Sequence, residues 1–369
     1  MRDTADVDLA VAGGGVAGSA VCVAAVRQGL RVVWLAPPAH RTAEPYGESL
    51  APAARPILSA LGLEAALHDP AHRPARSTFA AWAGPQLVER HAAVHLEGPG
   101  WVLDRAVFER HLAAAAARHA TRMPVTVRQA SVQAGGWRVV LSDGAEVTAR
   151  FLVDATGRAA VLARRLARLR RHDRLIAALA SLPQRTSTVT PTPATLIEAV
   201  EDGWRYAALL PDGRLSVAAF TDPQLRPARS ADRREQWARL LPDGGWVRRW
   251  IEEAEFTFVS GPRWVNAGVV SADPPAHPDH DGAGSAGWAA VGDAAAALDP
   301  LSSHGMTSAL WSGAQVGAAS AAWLAGDHRP LARYRTAVRD GLDRFLAARR
   351  VLYAQPTRFA DAPFWYARR

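Results

Sequence analysis

The 369-residue chain contains no lysine, so all 43 of its basic residues are arginine. It has one cysteine, Cys22. A disulfide framework or a cysteine-built zinc site within one chain is therefore excluded, and a reducing, cytoplasmic setting is expected. Charge is modest: charged residues make up 21% and hydrophobic residues 49%, the balance of a folded domain rather than a disordered one. Long apolar runs are also missing. One uncharged stretch, Leu9–Val26, nearly reaches the roughly 18 residues of a membrane span, but three consecutive glycines break it and suit a tight turn. The start, MRDTADVD, is acidic and unlike a secretory leader. The net charge is +8, but the arginines are scattered among acids, which reads as coding bias rather than as a nucleic-acid or membrane surface. The densest run, Arg164 to Arg174, reads as one face of a helix.

What is present begins with a nucleotide-binding turn. Val7–Ala12 (VDLAVA) has strand character, and Gly13, Gly15 and Gly18 follow it as G-x-G-x-x-G. A helical stretch then runs to Gln28, Gly29 ends it, and Leu30–Leu35 reads as a second strand. In such a β-α-β unit the first glycine allows the turn. The second lets a pyrophosphate approach the backbone, and the third lets helix and strand pack closely. The helix N-terminus offers free N–H groups and partial positive charge to the phosphates.

Two features temper the motif. Gly282, Gly284 and Gly287 spell the same pattern, but with no strand before it or helix after it, so this copy reads as a loop. His277 and His280 lie beside it with Asp279 and Asp281, and a solvated loop is expected there rather than a metal site. The acid that usually ends the second strand and binds ribose hydroxyls is also missing. Ala36 stands in its place, with His40, Arg41 or Thr42 as substitutes.

Two later segments turn the reading towards a flavin. Arg150–Arg158 (RFLVDATGR) runs from a strand into a turn of small residues, Asp154-Ala155-Thr156-Gly157. Trp288–Asp293 (WAAVGD) does the same, and Asp293 is placed to accept hydrogen bonds from a ribityl chain. Pro300 then precedes a helix expected to begin near Gly305, whose dipole would favour the negative charge of a reduced flavin.

In this order, over almost 300 residues, these segments resemble the glutathione-reductase-type FAD fold of flavoprotein monooxygenases. Gly47-Glu48-Ser49-Leu50, Pro52 and the later LSALGL resemble the tryptophan-halogenase-like flavoproteins, as does Gly100–Leu112 (GWVLDRAVFERHL). Gly203–Asp222 and the terminal FWYARR are most similar to a subgroup that includes the maturation flavoproteins of cysteine-tryptophylquinone amine oxidases and dehydrogenases. Family halogenases place a lysine after the LGL segment. Here that stretch is HRPARSTFAAW, with Arg73 and Arg76, and an always-protonated arginine is a poor haloamine former. The family's Trp-x-Trp-x-Ile-Pro signature is replaced by Trp204-Arg205-Tyr206 leading to Pro211.

The resemblance implies an FAD-dependent monooxygenase acting on an aromatic or indole group, possible substrates being a free tryptophan or one in a peptide or protein. A flavin C4a-hydroperoxide would carry the hard step. It implies FAD contacts from Gly13, Gly15, Gly18, Ser49, Arg105, Asp154, Gly157, Gly292, Asp293, Pro300, Ser303 and Gly305, and substrate contacts from Trp204 and Tyr206. Glu48 and His304 are the candidate proton handlers. Glu48 would bind substrate or anchor its loop. His304 would act as a base, or donate to the flavin carbonyl or to loop backbone. No metal is expected. O2 is the co-substrate. No second dinucleotide unit is present, so electrons would come from transiently docked NAD(P)H or from a separate flavin reductase. The alternatives are a flavin-dependent halogenase, a flavoprotein oxidase or dehydrogenase, and a non-catalytic flavoprotein escort of a partner protein. Cys22 is expected to be buried packing rather than a covalent flavin link.

The expected fold class is α/β: a glutathione-reductase-type, Rossmann-like FAD-binding domain with an inserted antiparallel β-sheet substrate domain and a C-terminal helical segment. The FAD-binding domain takes 1–78, 101–178 and 262–330, and the substrate-facing sheet takes 79–100 and 179–261, with strands near Leu87–Leu96 and Leu215–Thr221. Gln129–Val153 reads as a hairpin turning at Asp143-Gly144. The helical segment is 331–369, with Leu342, Phe345, Leu346 and Leu352 at helical spacing and Phe364, Trp365 and Tyr366 packing on the body.

Overall fold

In Val7–Ala12 every residue but Asp8 is apolar, which marks a strand covered on both faces. Leu9 and Val11 enter one core cluster, and Ala10 and Ala12 enter another on the opposite side. The structure is a computed structural model that describes residues 7–37, 48–92, 98–133, 135–186, 188–228, 230–277 and 286–369. His40, Arg41, Thr42, Gly47, Asp279, His280, Asp281, Gly282 and Gly284 lie outside them. The chain forms two compact units: the first comprises Met1–Asp69, Arg105–His172 and Val269–Leu342, the second Pro70–Asp104, Asp173–Gly268 and Asp343–Arg369.

The first unit holds an eight-stranded sheet. Its strands are β1 (Val7–Ala12), β2 (Val32–Leu35), β3 (Thr121–Met123), β4 (Val127–Gln133), β5 (Gly136–Leu141) and β6 (Glu146–Asp154). After the small β7 (Arg168–Arg171) and β8 (Val270–Asp273) pair come β9 (Ala276–His277) and β10 (Gly287–Ala290). The sheet order is β9-β10-β6-β1-β2-β3, with the β4–β5 hairpin added on β6. The pairings from β10 through β6, β1 and β2 to β3 are all parallel. The helices α1 (Val16–Arg27), α2 (Arg105–Ala117) and α3 (Gly305–Leu324) belong to the same unit. Leu9, Val11, Phe151 and Val153 pack with Val21, Cys22 and Ala25 of α1 and Val316 and Ala319 of α3. The other face is covered by Trp137, Val139 and Leu141 of the hairpin. Leu9–Val26 is thus a strand, a turn and a helix, and among the described residues no helix is long and apolar enough to cross a membrane.

The second unit holds a seven-stranded sheet. Its strands run in the order Arg263–Asn266, Ile176–Leu182, Leu215–Thr221, Gly203–Leu209, Ala194–Val200, Ser77–Ala81, Val88–His91. It is antiparallel except where Ala194–Val200 runs parallel to Ser77–Ala81, a strand that arrives from a separate excursion of the chain. Trp204 stacks on Phe220 at 3.6 Å between centroids, and its indole N–H donates to the Tyr353 hydroxyl at 3.0 Å. Trp365 donates to the Val200 carbonyl at 2.8 Å, and Arg368 pairs with Asp222, both side chains nearly inaccessible.

Three expectations are corrected. The arginine run is not a helical face: only Ala163–Leu166 is helical, and Arg168–Arg171 is β7, paired antiparallel with β8. Alternation decides this, because Leu169 packs on the core while Arg168 and Arg170 stay exposed. In the helix Arg329–Ala354 the buried stripe passes through Leu342, Arg349 and Tyr353, and Leu352 is 39% exposed. A guanidinium neutralised by Asp173 could be buried there, which an apolar count does not register. Finally, Phe364 and Trp365 are buried as expected, but Tyr366 is 73% exposed.

Candidate functional site

The parallel strands end level with one another. Ala12 is in register with Leu35 on one side and Asp154 on the other, and Asp154 is in register with Ala290. The turns after β1, β6 and β10 therefore emerge side by side at the carboxyl edge, where ligands of open α/β sheets bind.

The three amino-terminal glycines differ in their surroundings. A Cβ on Gly13, whose φ is +120°, would lie 2.1 Å from the Ala155 carbonyl oxygen. One on Gly18 would lie 2.1 Å from the Gly13 oxygen. A Cβ on Gly15 would meet no heavy atom within 4 Å. The outer two glycines serve close packing, and the middle one leaves a cradle open at the N-terminus of α1, where N–H groups lack intrahelical partners. The turn is held rigidly: Gly13 N–H donates to the Leu35 carbonyl at 2.9 Å, and the Trp34 indole donates to the Gly13 carbonyl at 2.8 Å.

Asp154, at the end of β6, is buried and fully hydrogen-bonded within the protein. One carboxylate oxygen accepts from Thr156 N–H at 2.9 Å and from the Thr156 hydroxyl at 2.6 Å. The other accepts from Leu162 and Ala163 N–H at 2.8 and 2.7 Å. Four donors fill a carboxylate's lone pairs, so the buried Asp154 ties the turn to the next helical start. Gly157, at φ +63° with nothing near its Cβ direction, remains open.

After β10, Gly292 takes φ +57° and donates its N–H to Ser312 Oγ at 2.8 Å. Its Cβ direction points at Ala17 of α1 and Ala309 of α3, 3.1 and 3.4 Å away. This turn therefore touches the same helix end as the amino-terminal glycines. Asp293 follows as the first residue of the helical turn Asp293–Ala296. Burial pushes its carboxyl pKa up, Arg158 and then Arg105 pull it down, and 36% of the side chain is still reachable. Arg158 Nε is 3.6 Å from the Asp293 carboxylate, and its fork also donates to the Leu298 carbonyl at 3.0 Å. Arg105 pairs with Glu109 at 2.8 Å. Next, Asp299 caps the single turn Pro300–Ser302, and Ser303 takes φ +53°. Ser303, His304 and Gly305 form an exposed tip leading into α3. His304 is the N-cap residue but makes no side-chain cap bond. In the first turn of α3, Thr307 Oγ1 is buried with no hydrogen-bond partner among the described residues.

Sequence reasoning missed several contributors: Arg158, Ser312, Thr307 and the glycine pair Gly313 and Gly317. A Cβ on Gly313 would lie 2.6 Å from the Ala17 oxygen, and one on Gly317 would lie 2.5 Å from Ala24 Cβ. α1 and α3 run parallel in near backbone contact, with their N-termini at the same end of the unit. The signal was available as two glycines four residues apart in an otherwise helical stretch.

Glu48 is buried and Ser49 half-buried at the start of the segment leading to the helix Ala54–Ala60, which packs on α3. Ala36 is buried, and no acid replaces it among the neighbouring described residues. Cys22 is buried, and burial pushes its thiol pKa up. Among the described residues no three His, Cys, Asp or Glu side chains are placed to hold a metal. In the second unit, Trp204 is enclosed by Phe220 and Tyr353, and Tyr206 is half-buried on the same strand face. Arg73, in the stretch where family halogenases carry lysine, donates to the carbonyls of Pro193, at 3.0 Å, and Leu209.

The family profile described as tryptophan halogenase matches residues 70–369. The chain belongs to the tryptophan halogenase family. Among solved structures, this family member is similar to the peptidyl tryptophan dihydroxylase QhpG, essential for tryptophylquinone cofactor biogenesis: 26% identity, TM-score 0.77, covering 99% of this chain and 79% of that one. It is also similar to the myxobacterial chondrochloren halogenase CndH, at 24% identity and TM-score 0.79 over 99% and 86% of the two chains. A variant of the halogenase PltM solved in complex with FAD aligns at 17% identity and TM-score 0.75 over 95% and 76%. No curated protein matches the sequence. The tryptophan halogenase fold is thus the FAD-binding architecture expected, and the first unit fits FAD on its own terms. It has an open glycine at a helix N-terminus, an unpartnered buried hydroxyl at a second one, and a reachable carboxylate flanked by two arginines.

Proposed function

We propose that the chain is an FAD-dependent monooxygenase that hydroxylates an aromatic or indole group, the favoured substrate being a tryptophan of a peptide or protein. The observation that carries the reading is the likeness to a peptidyl tryptophan dihydroxylase over 99% of the chain, in a sequence with no lysine to carry hypohalous acid.

Bound FAD would supply the activation of O2. The chain's residues do the rest. Gly13 to Gly15 and the first N–H groups of α1 would hold the pyrophosphate. Asp293, poised by Arg158 and Arg105, would accept from the ribityl hydroxyls. Gly157 would leave room for the cofactor, and Arg105 and Ser49 would flank it. Pro300, Ser303 and Gly305 would place the α3 N-terminus against the ring, where its partial positive charge favours developing negative charge. Glu48 and His304 would handle protons: His304 from an exposed tip with its ring not committed to capping, Glu48 from a buried position. Trp204 and Tyr206 would shape the substrate side of the second unit. Electrons would come from NAD(P)H docking transiently or from a separate flavin reductase, in the cytoplasm.

The test is product mass after reaction with labelled O2, a flavin reductant and tryptophan-containing peptides, with and without halide. One labelled oxygen per hydroxylation, independent of halide, is expected. A halide-dependent product identifies a halogenase. Loss of two hydrogens without label identifies an oxidase or dehydrogenase. Binding without turnover leaves the escort role.

A further inference from the structure

The sheet of the second unit ends at the strand Arg263–Asn266, with no strand beyond it among the described residues. Pro262 and Trp264, at and before this edge, form one wall of a recess of about 480 Å³ whose other walls include Arg226, Ser230, Gln236 and Leu240. The guanidinium carbon of Arg226 lies 4.4 Å from the centroid of the Trp264 ring. It makes no ion pair or side-chain hydrogen bond with any described residue. This sets it apart from its neighbours: Arg239 is tied to Glu235 and the Ala228 carbonyl, Arg248 to Asp243 and Glu252, and Arg205 to Asp202.

A guanidinium lying on an indole keeps its edge N–H groups in the plane, free to fork onto a planar acceptor. Among the described recess-lining residues Arg226 is the only one with a charged side chain. The nearby acid Glu235 is already engaged by the Ser230 hydroxyl and Arg239. Gln236 is fixed by its amide N–H bond to the Ser230 carbonyl. One unpaired positive charge with a planar fork, set among proline, leucine and indole surface, matches one carboxylate on a short aliphatic stem. A phosphate dianion would leave half its charge uncompensated. The open edge next to the recess offers backbone N–H and C=O groups to an extended chain, and side chains of an added strand drop alternately into such pockets.

We propose that this recess anchors an aspartate or glutamate side chain of an extended peptide that pairs with the edge strand Arg263–Asn266. The inference rests on the reading of a peptide or protein substrate and adds a recognition element to it.

The test uses the full chain loaded with FAD and a fluorescently labelled, N-acetylated and C-amidated peptide Thr-Val-Glu-Val-Thr, compared with its Gln counterpart by anisotropy. Wild type should bind the Glu peptide about tenfold more tightly, as loss of one charge-assisted bidentate contact implies. Arg226→Gln should remove that preference while keeping the wild-type melting temperature. Arg226→Lys should retain part of it. Arg329→Gln, at an exposed arginine of the first unit, should leave it unchanged. Absence of binding, equal affinity for the two peptides, or a preference that survives Arg226→Gln overturns the proposal. Tighter binding of a phosphoserine peptide overturns the carboxylate assignment. Because the readout is binding, a carboxylate preference that depends on Arg226 without tryptophan hydroxylation would sink the proposed reaction and leave the anchor standing.

Discussion

Replacing Gly15 with alanine separates ligand binding from folding. Gly15 sits at φ −82°, ψ −168°, extended backbone that alanine adopts freely, and a Cβ there meets no heavy atom within 4 Å. The cost to the unliganded protein is that of exchanging glycine for alanine at an N-cap, about 1 kcal/mol or less. Gly18→Ala is the internal control. Its Cβ would lie 2.1 Å from the Gly13 oxygen, backbone that cannot step aside, and should cost about 3 kcal/mol, the upper part of the overpacking range. For FAD the ranking reverses. A methyl group at Gly15 occupies the space through which a pyrophosphate reaches the helix N–H groups. Losing one hydrogen bond to a charged phosphate, about 1.5–3 kcal/mol, should weaken FAD binding about 10- to 100-fold. Quenching of flavin fluorescence on titration with apoprotein gives the affinity, and urea unfolding of the apoprotein gives the stability. Wild-type FAD affinity in Gly15→Ala, or a stability loss equal to that of Gly18→Ala, refutes the division of labour among these glycines.

Asp154→Asn should destabilise the apoprotein by about 3 kcal/mol in urea, since an amide presents N–H groups to backbone donors that now share a carboxylate. Asp293, whose folded pKa is raised, binds its proton more tightly in the folded state than in the unfolded one. Apoprotein stability should therefore fall as pH rises from the ordinary aspartate range through that raised value. Asp293→Asn should flatten this slope, and Arg158→Gln should extend it to higher pH; urea midpoints across acidic pH read both. Arg368→Ala leaves Asp222 buried without its guanidinium and should cost about 3–5 kcal/mol by the same assay. Cys22 should resist thiol reagents in the folded protein and react on unfolding.

The frame of the first unit was legible because its signals are local and mutually consistent. Strand Val7–Ala12, the three glycines and the start of α3 at Gly305 lie where apolar runs and turn residues put them. Side-chain duties were less legible. The tie of Asp154 to three backbone N–H groups and the Thr156 hydroxyl was not legible, because a strand-to-turn pattern does not show which donors an acid will meet. Arg349 and Arg368 were invisible as core residues because their burial depends on Asp173 and Asp222, which are more than 140 residues away in sequence. Arg168–Arg171 misread as a helix because exposed arginines carry no periodic signal of their own, and Leu169 alone sets the strand.

With glycine at 313 and 317, nothing bulkier than a methyl group stands between the two helices that frame the cradle. The spacing of the two positively polarised helix ends is therefore a property of the backbone and cannot be retuned by swapping side chains there. Side chains that can change without moving those helix ends lie instead at the exposed tip at 303–305. Exchanges at that tip leave the distance between the two helix ends unchanged.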